Sequence, residues 1–293
     1  MRAPFLLIAL LALAGCQPKL SEVAQSNLRA FKVADPSSNP NSLPGKLESL
    51  KSVPVSRHIT PQDCKTDACP SVDLSYYRFP NRPPLNEALL KALGKLGNAS
   101  ETNDSLSDFV DTFFKHAKDH PDYNAQLSAN MLDHYDHTVV IALNGYAFTG
   151  GAHGNAQLRY FNYDTRLKRE VTLDDMLTKG GRETLIALEK NAHQRWLDAQ
   201  NLGDEFKEKW PFTPTDNVAL LSDRLLVTYQ TYEIAPYAMG QITLSIDYDD
   251  LSGVFKPSFL PEDTDDQDVE FKDPEAQRIH EASQKLSSQR GRP

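Results

Sequence analysis

Chemistry on this chain would start from His153, in the run Gly145-Tyr146-Ala147-Phe148-Thr149-Gly150-Gly151-Ala152-His153-Gly154. An imidazole titrates near neutrality, so it serves as a base, a proton shuttle or a hydrogen-bonding contact. Glycines beside it let the backbone take positive φ, which holds the side chain on an irregular loop. Loops carried on a rigid sheet are where binding residues concentrate. The same run also reads as a strand-to-strand corner whose histidine caps a turn. A second run, Tyr232-Glu233-Ile234-Ala235-Pro236-Tyr237-Ala238-Met239-Gly240, is likewise irregular and aromatic. If the two loops meet, Glu233 could orient His153 as a general base, and the chain would be a hydrolase or deacetylase-type enzyme. No Gly-x-Ser-x-Gly, His-Glu-x-x-His or cysteine-based catalytic signature accompanies them. The principal expectation is therefore binding without catalysis, with no catalytic residue, cofactor or metal. Tyr146, His153, Tyr232, Glu233 and Tyr237 are the candidate ligand-binding set. Tyrosines combine an apolar face with a polar edge and suit protein or sugar contacts; the alternative is that these pack between strand and helix layers. A purely structural envelope protein is a third class.

Cys64 and Cys69 are separated by Lys65-Thr66-Asp67-Ala68. In an oxidising compartment such a pair reads as a disulfide; as a metal site it would need two further ligands. His134 and His137 also invite a metal reading, but residues three apart in a strand face opposite sides.

These residues need elements to position them. Val53 to His58 alternates and contains Pro54, as an edge strand does. Val72 to Tyr76 alternates apolar and polar. Leu85, Leu89, Leu90, Leu93 and Leu96 recur at helical spacing, as do Phe109, Val110, Phe113 and Phe114 within Leu106 to Lys118. Tyr123 to Leu132 and His137 to Ala147 read as strands joined near Tyr135-Asp136, and Leu158 to Tyr163 as the strand after the glycine corner. A short strand ends at Val171. Thr172 and Asp175 have the form of a capping box. Arg182 to Gln200 is the longest helix, Phe206 to Pro214 is irregular, and Val218 to Leu221, Leu225 to Tyr232 and Ile242 to Tyr248 are the last strands. Runs of strands with few crossovers favour antiparallel pairing.

The chain carries 31 Lys+Arg against 40 Asp+Glu, which argues against nucleic acid as partner. Arg2 followed by the apolar run Phe5 to Leu13 has the form of a secretory signal, and Leu13-Ala14-Gly15-Cys16 resembles a bacterial lipobox. That resemblance implies cleavage before Cys16 and a lipid anchor on its thiol. Gln17 after the cysteine implies the outer membrane, with the folded part facing the periplasm. Removing residues 1–15 removes Arg2 and no acidic residue, so the formal charge of −9 becomes −10. The expected organisation is a signal peptide (1–15), a lipidated tether (16–50), an N-terminal α+β subdomain (51–122), a second domain (123–257) and an acidic tail (258–293).

Three blocks carry a family likeness: Phe148 to Gly154; Phe161-Asn162-Tyr163-Asp164 leading to Leu173-Asp174-Asp175-Met176; and Tyr232 to Gly240. Together they resemble the RsiV-like extracytoplasmic module, which occurs in the anti-sigma factor of that name and beside the catalytic domain of peptidoglycan deacetylase C. The stretch Val72 to Leu96 resembles the smaller domain that precedes the module. The resemblance implies an α+β fold, with helices packed on mainly antiparallel sheets in two closely associated subdomains. It implies partners in the cell wall: some relatives bind lysozyme directly, others are attached to a cell-wall enzyme. The expectation is an extracytoplasmic module on a lipid tether, binding lysozyme or peptidoglycan fragments.

Overall fold

The computed structural model describes residues 50–65, 68–96 and 105–261, all within one unit, Glu48–Pro293. The expected signal peptide, Cys16, the expected tether up to residue 49, the polar stretch 98–104 and the acidic run from Glu262 lie outside the described residues. Nine strands form two sheets among them. The first has the order β1 (Val53–Ile59), β2 (Ser71–Arg78), β3 (Asn124–Tyr135), β4 (Thr138–Phe148), β5 (Asn155–Asp164), β6 (Arg169–Glu170). The second is β7 (Val218–Leu220), β8 (Arg224–Tyr229), β9 (Ile242–Asp247). Every pair is antiparallel except β2–β3. A parallel pair needs a crossover, and α1 (Pro83–Leu96) and α2 (Leu106–His116) provide it. β1 stands at the sheet edge, where Pro54 is tolerated. The alternation of Val72 and Leu74 on β2 continues as Ala125, Leu127 and Ala129 on β3 and as Ile141 and Leu143 on β4. These bury one sheet face against Leu85, Leu89 and Leu93 of α1 and Phe109 and Phe113 of α2.

The opposite face of β4 and β5 packs Val140, Ala142, Leu158 and Tyr160 against Ala219 of β7. β4 is thus covered on both faces, which is why its first six residues are all buried. Three amide side chains join the sheets. Asn162 donates to the Val218 carbonyl (2.8 Å) and accepts from the Leu220 N–H (3.2 Å), taking the β7 edge that β8 leaves open. Asn217 accepts from the Tyr160 N–H (2.9 Å) and donates to the Leu158 carbonyl (2.8 Å). Gln230 meets both the N–H (3.0 Å) and the carbonyl (2.6 Å) of Leu158. Backbone groups at a buried edge must find partners, and here side chains provide them.

After β6 come α3 (Leu173–Met176), α4 (Gly181–Ala199) and α5 (Asp204–Lys209). Both bonds of the Thr172–Asp175 capping box are formed. α4 lays Leu185 and Ala192 on a core built with Leu225, Val227, Tyr229, Leu244 and Ile246 of the second sheet. Its inner face also carries two titratable residues, Glu189 and His193.

Two expectations require correction. The segment 206–214 is not irregular throughout, because α5 occupies its start; Asp204 and Glu205 in its first turn and Lys207 and Lys209 in its last complement the helix dipole. The strand expected to reach Tyr232 ends at Tyr229. There Glu233 Oε2 accepts the Gln230 N–H at 2.6 Å, and the Tyr232 N–H donates to the Ala235 carbonyl at 3.1 Å. Those bonds turn the chain out of the sheet and leave Tyr232 at φ 70°.

Candidate binding site: an aromatic row across two loops

The β4–β5 connection spans residues 149–154. Gly150 and Gly151 both lie in the left-handed region, φ 90° and 92°, as the glycine pair predicts. Gly154 has a different reason: a Cβ there would overlap the ring of Tyr146. Burial, then the neighbouring Tyr237, push the Tyr146 hydroxyl pKa above its ordinary value.

This loop meets the turn after β8. The Tyr237 hydroxyl donates to the Gly154 carbonyl at 3.1 Å. His153 Nδ1 lies 3.0 Å from the same carbonyl. Because a carbonyl only accepts, Nδ1 carries the proton and Nε2 is the acceptor of the neutral ring. The His153 and Tyr237 rings stack, with centroids 3.9 Å apart and planes at 21°. Tyr237 lies 5.7 Å from Tyr232, and Tyr232 lies 6.4 Å from Trp210, just past the end of α5. The four rings make one row, Trp210–Tyr232–Tyr237–His153. Tyr232 is 55% exposed, unusually open for a large ring.

Of the five residues singled out in the sequence, His153, Tyr232 and Tyr237 are thus in the row, with Tyr146 beside it against Gly154. Glu233 is set apart in role: its carboxylate holds the Gln230 main chain, while His153 is held by Gly154. The hydrogen bonds therefore tie each to its own loop rather than one to the other. Trp210 escaped the sequence reading, because the segment around it shows no periodicity; its signal was its residue type, one favoured at contact surfaces. Cys64 and Cys69 stand as a disulfide, Cα atoms 6.0 Å apart. His134 is on β3 and His137 in the turn before β4, and among the described residues no three His, Cys, Asp or Glu side chains group to hold a metal.

An α+β module of two sheets, with an aromatic row where two of its loops meet, is the class of protein that fold and site define. The family described as "Protein of unknown function (DUF3298)" matches residues 174–249, the part with α4, α5, the second sheet and three of the four rings. A solved DUF3298 family protein from Pseudomonas aeruginosa PAO1 is 32% identical, with a TM-score of 0.66 over 72% of this chain and 97% of that one. A DUF3298 family member from Bacteroides fragilis NCTC 9343 shares the fold at 20% identity, with a TM-score of 0.56 over 71% of this chain and 94% of that one. The peptidoglycan-N-acetylmuramic acid deacetylase PdaC of Bacillus subtilis (strain 168) is 27% identical over 130 residues, 42% of this chain and 27% of PdaC. The chain thus spans about a quarter of that curated relative. The chain belongs to the DUF3298 family, in agreement with the likeness to the RsiV-like module that the three blocks carry.

Proposed function

We propose that the chain is an envelope lipoprotein, anchored through Cys16 in the outer membrane and facing the periplasm, whose folded part binds a protein or cell-wall ligand without catalysis. The observation that supports this most is the aromatic row, in which two loops from different sheets and the segment after α5 present four rings together. His153 stacks on Tyr237 at 3.9 Å, while Tyr232 stays 55% exposed, and tyrosines with an apolar face and a polar edge suit protein or sugar partners. The formal charge of −10 left once residues 1–15 are removed favours approach by a basic protein, so lysozyme is the first candidate and soluble peptidoglycan fragments the second. Calorimetry of the folded part against each at physiological salt tests the reading. Saturable binding to either supports it; no binding to either, together with turnover of an acetylated or glycosidic substrate, overturns it in favour of an enzyme.

A further inference from the structure

The first sheet has a second face, turned away from α1 and α2. The second sheet packs on it at Val140, Ala142, Leu158 and Tyr160. Beyond that cover the face stays open across β1 to β4, and the strand register fixes what it shows. One rung reads Ser56, Ser75, Ser128 and Asn144. The next reads His58, Asp73, Gln126 and Tyr146. Side chains alternate between the faces of a strand. Val72, Leu74, Ala125 and Leu127 belong to the core beneath the helices, so the two rungs share the opposite face. None of their eight residues is buried. By the same alternation Tyr77, 37% exposed, lies beyond Ser75 on this face. Tyr146 closes it at the other side, where its ring meets Gly154 at the foot of the aromatic row.

The floor is polar but almost without charge. Charged residues make up 24% of the chain, yet neither rung holds a Lys, Arg or Glu. Their one carboxylate, Asp73, is paired with His58 at 2.7 Å. Its amides are also unspent. Asn86, Asn162, Asn217 and Gln230 all have theirs engaged by main-chain groups. The side chains of Gln126 and Asn144, and the hydroxyls of Ser75 and Ser128, have no hydrogen-bond partner among the described residues. A primary amide offers donors and an acceptor together, and a hydroxyl offers both from one atom.

We propose that this open face is a glycan-binding floor, which takes an uncharged strand of acetamido sugars laid across β2 to β4 toward Tyr146. Sugar hydroxyls match the serines, and acetamido groups match the amides of Gln126 and Asn144 donor to acceptor and acceptor to donor. Tyr77 and Tyr146 flank the floor with rings that have an apolar face and a polar edge. Neighbouring strands stand about 4.8 Å apart, so the rung from β1 to β4 spans about 14 Å, more than one sugar ring. Charge selects the class. Nucleic acid needs cations to meet its phosphates, and the rungs have none. An acidic polysaccharide would be repelled by a chain of net negative charge. A protein contact wants an apolar centre, and the centre here is serine and amide. The floor goes beyond the contact surface proposed for the row, and neither rests on the other.

The probes are the hexamer of N-acetylglucosamine and cellohexaose, which has the hydroxyls without the acetamido groups. In nitrogen-resolved NMR of the full chain, the N-acetylglucosamine hexamer should shift the side-chain amide signals of Gln126 and Asn144 saturably. Calorimetry should show its affinity falling about tenfold in Gln126→Ala/Asn144→Ala, as loss of two neutral hydrogen bonds implies, with the melting temperature retained. Cellohexaose should bind several-fold more weakly. No saturable shift, shifts confined to the row, or equal affinity in the double variant overturns the floor. Equally tight cellohexaose overturns the acetamido assignment. Should the double variant fail to fold, Tyr77→Ala replaces it under the same criterion. Floor and row have separate signals in the same spectra, so failure here is distinguishable from failure of the row.

Discussion

Gly154 and Asp164 show how single positions constrain the site. Gly154 leaves room for the Tyr146 ring and offers its carbonyl to Tyr237 and His153. Gly154→Ala should therefore destabilise the fold by about 1–3 kcal/mol, as overpacking does, and should disturb the loop more than its size implies. Gly151 has open space around it and only its φ of 92° to defend, so Gly151→Val should cost more than about 1 kcal/mol through backbone strain alone. Thermal melts check both; a melt unchanged by either substitution would show an ordinary corner. Asp164, at the end of β5, is 1% exposed at its side chain and pairs with Arg166 at 2.8 Å. Burial opposes its ionisation, but the Arg166 guanidinium and the N–H groups of Leu167 and Arg166 outweigh it and hold the carboxyl below its ordinary value. A depressed folded pKa contributes stability that is present above the unfolded value of 3.8 and is lost as pH falls through the folded one. Acid unfolding followed below pH 4 should accordingly be less steep in Asp164→Asn, and an identical acid limb would remove Asp164 from the account.

At the scale of elements, the Cys64–Cys69 bridge sits in the connection from β1 to β2 and encloses few residues. A loop that short lies at the weak end of the entropic scale, so Cys64→Ser/Cys69→Ser should cost about 2 kcal/mol or less by denaturant titration. Mass spectrometry of unreduced peptides should find the pair bonded, and two free thiols would contradict it. Elements with a strong period were legible in the sequence: the Leu85–Leu96 and Phe109–Phe114 stripes, the alternation of β2, and the Thr172 capping box. What escaped had no period to read. The amides of Asn162, Asn217 and Gln230 join two sheets through bonds between residues 56 to 72 positions apart, and no local pattern announces such a partner. The early end of β8 is set by Glu233 turning back on Gln230, a local bond that apolar patterning does not register. The candidate site was legible as two irregular aromatic loops, since His153, Tyr232 and Tyr237 stood out by type and place. Trp210 did not, because its membership depends on α5 bringing it to Tyr232.

For the whole molecule, the resemblance of Leu13-Ala14-Gly15-Cys16 to a lipobox makes the proposed anchoring directly checkable. Cys16→Ser should abolish fatty-acid labelling and leave an unprocessed precursor, and continued labelling would remove the lipoprotein proposal. Membership in the DUF3298 family and the shared fold hold independently of that outcome. The central claim is that the Trp210–Tyr232–Tyr237–His153 row is the contact surface. Its most direct test is titration calorimetry at physiological salt, with lysozyme and with soluble peptidoglycan fragments, on the natural protein and on Tyr232→Ala, whose residue is 55% exposed. A truncated anchor ring at a contact surface typically costs 2 kcal/mol or more, about thirtyfold in affinity. The account predicts a saturable partner whose affinity falls by about that factor in Tyr232→Ala while the melting temperature is retained; binding that is equally tight in the variant would contradict it.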